Sequence, residues 1–266
     1  MYNYKIKMIK KATACQISDE NAFDIVEDYW CALNNNGQVI GGFDVFLDNG
    51  SIYLTTVLPT KESLSDKLNN DYVKERLEEL RDFFDIELMQ EGVNLEYNTS
   101  CVCKKPSWYF LYGENNGENP LACGDCHKSI PLHGVPYIFG EKEHFSLLAW
   151  WRAKNAMDTL WHHGLWDRFT YEQTALHNSK LNREGRKISK ALEKVLNAPV
   201  YYFIYYFCED CDEGEHCIIP KGLPNKIPTV CPQCGGKWID DNEFCKCVKC
   251  RLITDSPQWK NERSLL

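Results

Sequence analysis

The chain has 266 residues, 44% hydrophobic and 26% charged, with 14 cysteines and a formal net charge of −8. That apolar fraction excludes intrinsic disorder, and the acidity favours basic partners over phosphate backbones. The longest apolar run, VYYFIYYFC (200–208), is too short for a bilayer, and MYNYKIKMIKK lacks the apolar stretch of a leader, so a cytoplasmic protein with no membrane association is expected. Cysteines in such a chain point to metal rather than disulfides, and most of these come in close pairs.

Residues 2–11 alternate apolar side chains with Lys and predict a half-buried strand. SDENAFDIVEDYWCALNN predicts a helix capped by Ser18. GQVIGGFDVFL and SIYLTTVL predict two strands joined at DNG, a hairpin signal, with Pro59 as the stop. A helix is expected from Ser63 to about Met89, started by SLSD as a capping box and ended by Gly92, with Val73, Leu77, Leu80, Phe84 and Leu88 on one face. VNLEYNTSCVC then predicts a return to strand. The order β-α-β-β-α-β is that of a ferredoxin-like domain over residues 1–100.

Residues 101–140 are rich in Gly, Pro and Cys and predict a loop-dominated metal module. Residues 142–163 predict a helix with Phe145, Leu148, Trp151 and Leu160 inward. Residues 180–197 predict another, with Ile188, Leu192 and Val195 inward and Pro199 as its stop. An aromatic strand over 200–207 and a linker, IIPKGLPNKIPT, lead to the last cysteines.

Cys231, Cys234, Cys247 and Cys250 form CxxC, twelve residues, CxxC. Each such turn aims two sulfurs at one point, and two turns complete a tetrahedron around Zn²⁺, with iron as the alternative. Gly235 and Gly236 suit a turn whose backbone N–H groups face the sulfurs. Cys245 is a spare thiol in the same loop; Cys247 completes the CxxC and is preferred as ligand. Cys101, Cys103, Cys123 and Cys126 form CxC, nineteen residues, CxxC, a second four-thiol set, with His127 and His133 as spare donors. CEDCDEGEHC offers Cys208, Cys211, His216 and Cys217 either as a third metal site or as a solvated acidic loop of oxidisable thiols. A four-cysteine zinc leaves no position for water, so these sites are structural rather than catalytic.

His162 and His163 have no carboxylate or thiol partner placed to orient them as HExxH does, and they suit a helix C-terminus. There is no GxSxG, P-loop or GxGxxG, so no enzyme is expected. Lys180, Arg183, Lys187, Lys190 and Lys194, with Arg186 beside them, form a basic stripe. It is either a solvated outer face or a row of phosphate contacts.

The segments CVCKKPSWYFLY, PLACGDCHKSIPL, GRKISKALEKVLNAPVYYF and CPQCGGKW…CKCVKCRLITD resemble a bacterial family of unknown function described as zinc-ribbon-containing and, by inference from the ribbon, nucleic-acid-binding. The chain is more distantly similar to double-CXXCG-motif proteins, some of them immunity proteins against toxins, and departs from that motif at Asp125 and His127. The resemblance implies Cys231, Cys234, Cys247 and Cys250 as ribbon ligands and Cys101, Cys103, Cys123 and Cys126 as the upstream set.

The expectation is an α+β protein: a ferredoxin-like domain (1–100), a Cys-rich module with helices and an aromatic strand (101–227) and a zinc ribbon (228–266). Two structural zincs would clasp it. Residues 1–100 carry 9 basic and 18 acidic groups, so the expected role is grip on a basic protein such as a bacterial toxin, through Glu27, Asp28, Glu75, Glu78, Glu79 and Asp82. Nucleic-acid binding by the ribbon and the basic helix is the alternative. A redox-responsive regulator using Cys208, Cys211 and Cys217 is a third.

Overall fold

The computed structural model describes residues 1–14, 17–95, 97, 99–112, 119–206, 220–224 and 226–256. They form two compact units, one mainly from residues 1–103 and 126–145, the other from 104–112, 120–125 and 146 onward. Among the described residues no helix is long and apolar enough to cross a membrane.

The first unit runs β1 (Tyr2–Lys10), α1 (Asp19–Asn35), β2 (Ile40–Asp48), β3 (Ser51–Leu58), α2 (Asp71–Phe83) and β4 (Phe84–Val93). Its sheet has the order β2-β3-β1-β4 with every pairing antiparallel, the split βαβ order expected from the sequence. Ser18 caps α1 by accepting from the Asn21 N–H. Asn49 and Gly50, both at positive φ, make the tight turn between β2 and β3, with Asp48 facing Ser51. Ile6, Met8, Ile52 and Leu54 line one sheet face and pack against Val26 and Leu33 of α1 and Val73, Leu77 and Leu80 of α2.

The long helix expected over 63–89 is instead a short α2 followed at once by a strand. Residues Asp66–Leu68 form a 3-10 turn, and Asn70, not the SLSD box, caps α2 by accepting from the Val73 N–H at 2.9 Å. Phe84, Ile86 and Leu88 alternate along β4 opposite Lys10, Met8 and Ile6 of β1. Phe84 and Leu88 satisfy a helical spacing as well as a strand spacing, and hydrogen bonding to β1 decides between them. The strand expected from Val93 therefore begins nine residues earlier, at Phe84. Gly92 sits within β4, where the register with β1 shifts beside Asn3.

Residues 126–145 join this unit through buried polar groups. Asn36 donates to Gln38 and to the Leu68 carbonyl, Gln38 donates to the Ser63 carbonyl, and the Tyr137 hydroxyl donates to Asn36. His144 is buried; its backbone N–H donates to Asn35 and its Nε2 bonds the Leu132 carbonyl at 2.9 Å.

The second unit contains β5 (Tyr109–Leu111), β6 (Leu121–Cys123), α3 (Phe145–His162), α4 (Asp167–Ala175), α5 (Lys180–Leu196), β7 (Val200–Phe203), β8 (Ile239–Asp240), β9 (Phe244–Cys247) and β10 (Leu252–Asp255). One sheet takes the order β6-β5-β7-β10-β9-β8, parallel where β7 meets β5 and β10 and antiparallel elsewhere. Its hydrophobic cluster joins the rings of Phe110, Tyr201, Phe203 and Phe244 with Ile253, and Trp108 packs at the rim. Helix α5 lies against β7 with Ile188 and Leu192 buried, and it comes so close that a Cβ on Gly185 would lie 2.1 Å from the Tyr202 ring.

Three sequence expectations shift here. On α3, Leu148 is buried as expected, but Phe145 is exposed, Trp151 and Leu160 are half-buried, and Leu147 and Trp150 take the inner face. On α5, Val195 is exposed. The aromatic strand stops at Phe203 rather than 207, although Ile204 and Tyr206 remain buried. Helix α4 was not anticipated, because its buried side chains include Thr170 and Thr174, which give no apolar period. Their hydroxyls donate back to the Trp166 and Thr170 carbonyls, so they pack without unpaired polar groups.

Burial pushes His144 down from 6.5 to about 4. The neutral folded imidazole contributes stability that is fully present above pH 6.5 and is lost as pH falls from 6.5 toward 4. The loss is on the order of 3 kcal/mol. Urea midpoints at pH 7 and pH 4.5 should therefore differ more in the native chain than in a His144→Gln variant.

Candidate metal centres

In the second cysteine group, Val230 bridges Lys237 and closes the first CxxC turn. Inside it the Cys231 N–H donates to the Gly236 carbonyl at 2.8 Å and the Gly235 N–H to the Cys231 carbonyl at 2.9 Å. Gly235 has φ +68, a conformation open to glycine at little cost. Cys247 is the last residue of β9, and Cys250 lies in the turn into β10. The four sulfurs of Cys231, Cys234, Cys247 and Cys250 all lie within 4.8 Å of one another.

The first group has the same plan with one substitution. A CxC segment replaces the first CxxC, and the Cys103 N–H donates to the Cys101 sulfur at 3.3 Å. Cys123 is the last residue of β6, as Cys247 is of β9. Gly124 lies under the Trp108 ring, where a Cβ would come within 2.0 Å of it, and the Asp125 carboxylate accepts from the Ser107 backbone N–H at 2.7 Å. The sulfurs of Cys101, Cys103, Cys123 and Cys126 likewise lie within 4.8 Å of one another.

The donor set and its spacing fit zinc. Arms of about 2.3 Å at tetrahedral angles put neighbouring sulfurs about 3.8 Å apart. The Cys234 and Cys247 sulfurs are 3.7 Å apart, and those of Cys101 and Cys126 are 3.5 Å apart. The Gly236 backbone N–H, then the neighbouring thiols, holds Cys234 down to about 7, while burial and the other sulfurs raise Cys247 and Cys250. A cation at the centre offsets that crowding, because ligand thiols bind as thiolates.

Cys245 stands apart from the group. It is buried on β9 opposite Thr254, and burial together with Asp240, Asp241 and Asp255 pushes it up to about 11. A thiol facing three carboxylates is a poor thiolate, which separates it from Cys247. His127 and His133 belong to neither group, and His162 and His163 are exposed at the end of α3. Cys208, Cys211, His216 and Cys217 lie outside the described residues.

One regularity escaped the sequence reading. The residue after each CxxC has left-handed backbone: Gly235 (φ +68), His127 (φ +56) and Arg251 (φ +54). The departure at His127 is thus one of residue type and not of backbone. The tie between Arg251 and Glu193 of α5, at 2.9 Å, is hidden in the sequence by their separation along the chain.

Two families match parts of the chain, each described as a domain of unknown function: DUF8589 over residues 1–93 and DUF2310 over residues 103–205. An uncharacterized protein of Haemophilus influenzae is 24% identical over 258 residues, covering 90% of this chain and 91% of its own. Another from the same organism is 26% identical over 159 residues, covering 56% of this chain and 71% of its own. A solved structure of a conserved protein of unknown function from Bacteroides thetaiotaomicron superposes with a TM-score of 0.27 at 12% identity, over 34% of this chain and 95% of its own.

Metal analysis of variants separates Cys245 from Cys247. Cys247→Ser should lose one equivalent of metal and Cys245→Ser none, read by elemental analysis of reduced protein. His127→Gly should raise the melting midpoint, because glycine relieves a left-handed strain of about 1 kcal/mol.

Proposed function

We propose that this chain is a non-enzymatic protein that holds two structural zinc ions and works by gripping another protein. The zinc reading rests on eight thiols gathered four by four at tetrahedral spacing. Zinc closed by four sulfurs has no vacant position for a water or substrate, so each centre acts as a brace. Such a brace contributes folding free energy on the order of 10 kcal/mol. We read residues 230–255, with two cysteine turns on an antiparallel three-stranded meander, as a zinc ribbon.

The single observation that carries the partner is the outer face of α1 and α2. Asp19, Glu20, Asp24 and Asp28 on α1 and Asp71, Glu75, Glu78 and Asp82 on α2 are exposed, while Glu27 and Glu79 are half-buried. Arg76 sits among them, 2.6 Å from Glu79 and 3.8 Å from Asp28, while Lys10 pairs with Asp19 at 2.7 Å and Lys74 with Asp71 at 4.0 Å. The remaining acids make a negative surface suited to fast association with a basic protein, most concretely a bacterial toxin that this chain would neutralise. Capture from the native host, with purification of the captured protein, supplies the partner. Glu75→Lys, Glu78→Lys and Asp82→Lys together should slow its association about tenfold or more at low salt. An unchanged rate would sink the reading.

A second reading has its own support. Lys180, Arg183, Lys187, Lys190 and Lys194 are all exposed along α5, as a phosphate-contacting row requires. It predicts a gel shift with mixed DNA and RNA that weakens steeply with salt and is lost in Lys187→Glu/Lys190→Glu.

A further inference from the structure

Helix α5 is latched to both cysteine turns of the second group. Near its middle, Arg186 Nη1 donates to Oε1 of Gln233, which lies between Cys231 and Cys234. Two turns on, Glu193 accepts from Nε of Arg251 at 2.9 Å and from Nη2 at 3.4 Å. Arg251 directly follows Cys250, and its Nη1 reaches back to the Val248 carbonyl inside the second turn at 3.1 Å. The same Glu193 carboxylate accepts the Val200 N–H at 3.1 Å, so one side chain joins α5, β7 and a metal turn. Arg251 also lies 5.5 Å from the centre of the Tyr201 ring.

These contacts use different turns, and the sulfurs bring those turns together. We infer that α5 reads the metal state of the second group: a cation there closes both latches at once and fixes the helix, and its removal releases the segment from Arg186 to Leu196. The released segment carries Lys187, Lys190 and Lys194, so this part of the solvent-facing basic row is held more firmly while the centre is loaded. Bidentate Arg–carboxylate geometry and the shared Val200 bond give this latch more grip than an isolated surface pair. The inference rests on the metal reading above, and measuring metal content in the same samples separates the two.

The test is hydrogen exchange on the full chain, zinc-loaded and chelator-stripped. Stripping should lower amide protection over 186–196 about tenfold while α1 and α2 change less than about twofold. A zinc-loaded Glu193→Gln variant should keep its metal, lose protection over the same residues and respond little to stripping. Equal protection of 186–196 in loaded and stripped samples of verified metal content overturns the inference. So does a loss spread evenly over α3, α4 and α5, which would make the metal a general support. A chain that takes up no metal overturns both this inference and the zinc reading.

Discussion

Four sulfurs gathered within 4.8 Å cannot all carry charge unless a cation sits among them. This constraint governs the second unit. Its strands are two to four residues long, shorter than the strands that usually sustain a sheet. What they lack in length is made up by turns that meet at a sulfur cluster and by aromatic rings laid across neighbouring strands. Trp108 packs edge-on to Tyr201 and Phe244, and Lys246 stands 4.0 Å above its ring.

Both groups repeat one local plan. A tryptophan precedes the first strand of a hairpin (Trp108 before β5, Trp238 before β8), the second strand ends on a cysteine, and the residue after the closing CxxC turns left-handed. The Trp238 indole donates to the Pro228 carbonyl at 2.7 Å, so the ring pins the chain entering the first turn. The plan explains why different spacings, CxC in one group and CxxC in the other, reach comparable sulfur geometry: the hairpin does the positioning and the turns only aim.

Much of this was legible in the residues. Ser18 marked a helix start, Asn49–Gly50 marked a hairpin, and the cysteine spacings singled out the eight sulfurs that the structure gathers. The errors share a cause, which is that short-range patterns were ambiguous where tertiary contacts chose. Phe84 and Leu88 fit two periods, and pairing with β1 selected the strand. In AWWRA either tryptophan suits an inner face, and packing took Trp150, whose indole donates to the Leu181 carbonyl at 3.1 Å. Helix α4 hides apolar burial behind threonines. The left-handed backbone at His127 and Arg251 leaves no trace in residue type, because neither is glycine.

The burial of the sulfurs is uneven within each group. Cys103 and Cys234 face solvent, whereas Cys123, Cys231 and Cys247 are enclosed. Each cluster thus has an outer gate and an inner wall. Oxidants, competing chelators and donor thiols meet the gate first. An ion held by such a cluster would exchange by unhooking one arm at the surface while three remain, leaving the hairpin beneath undisturbed.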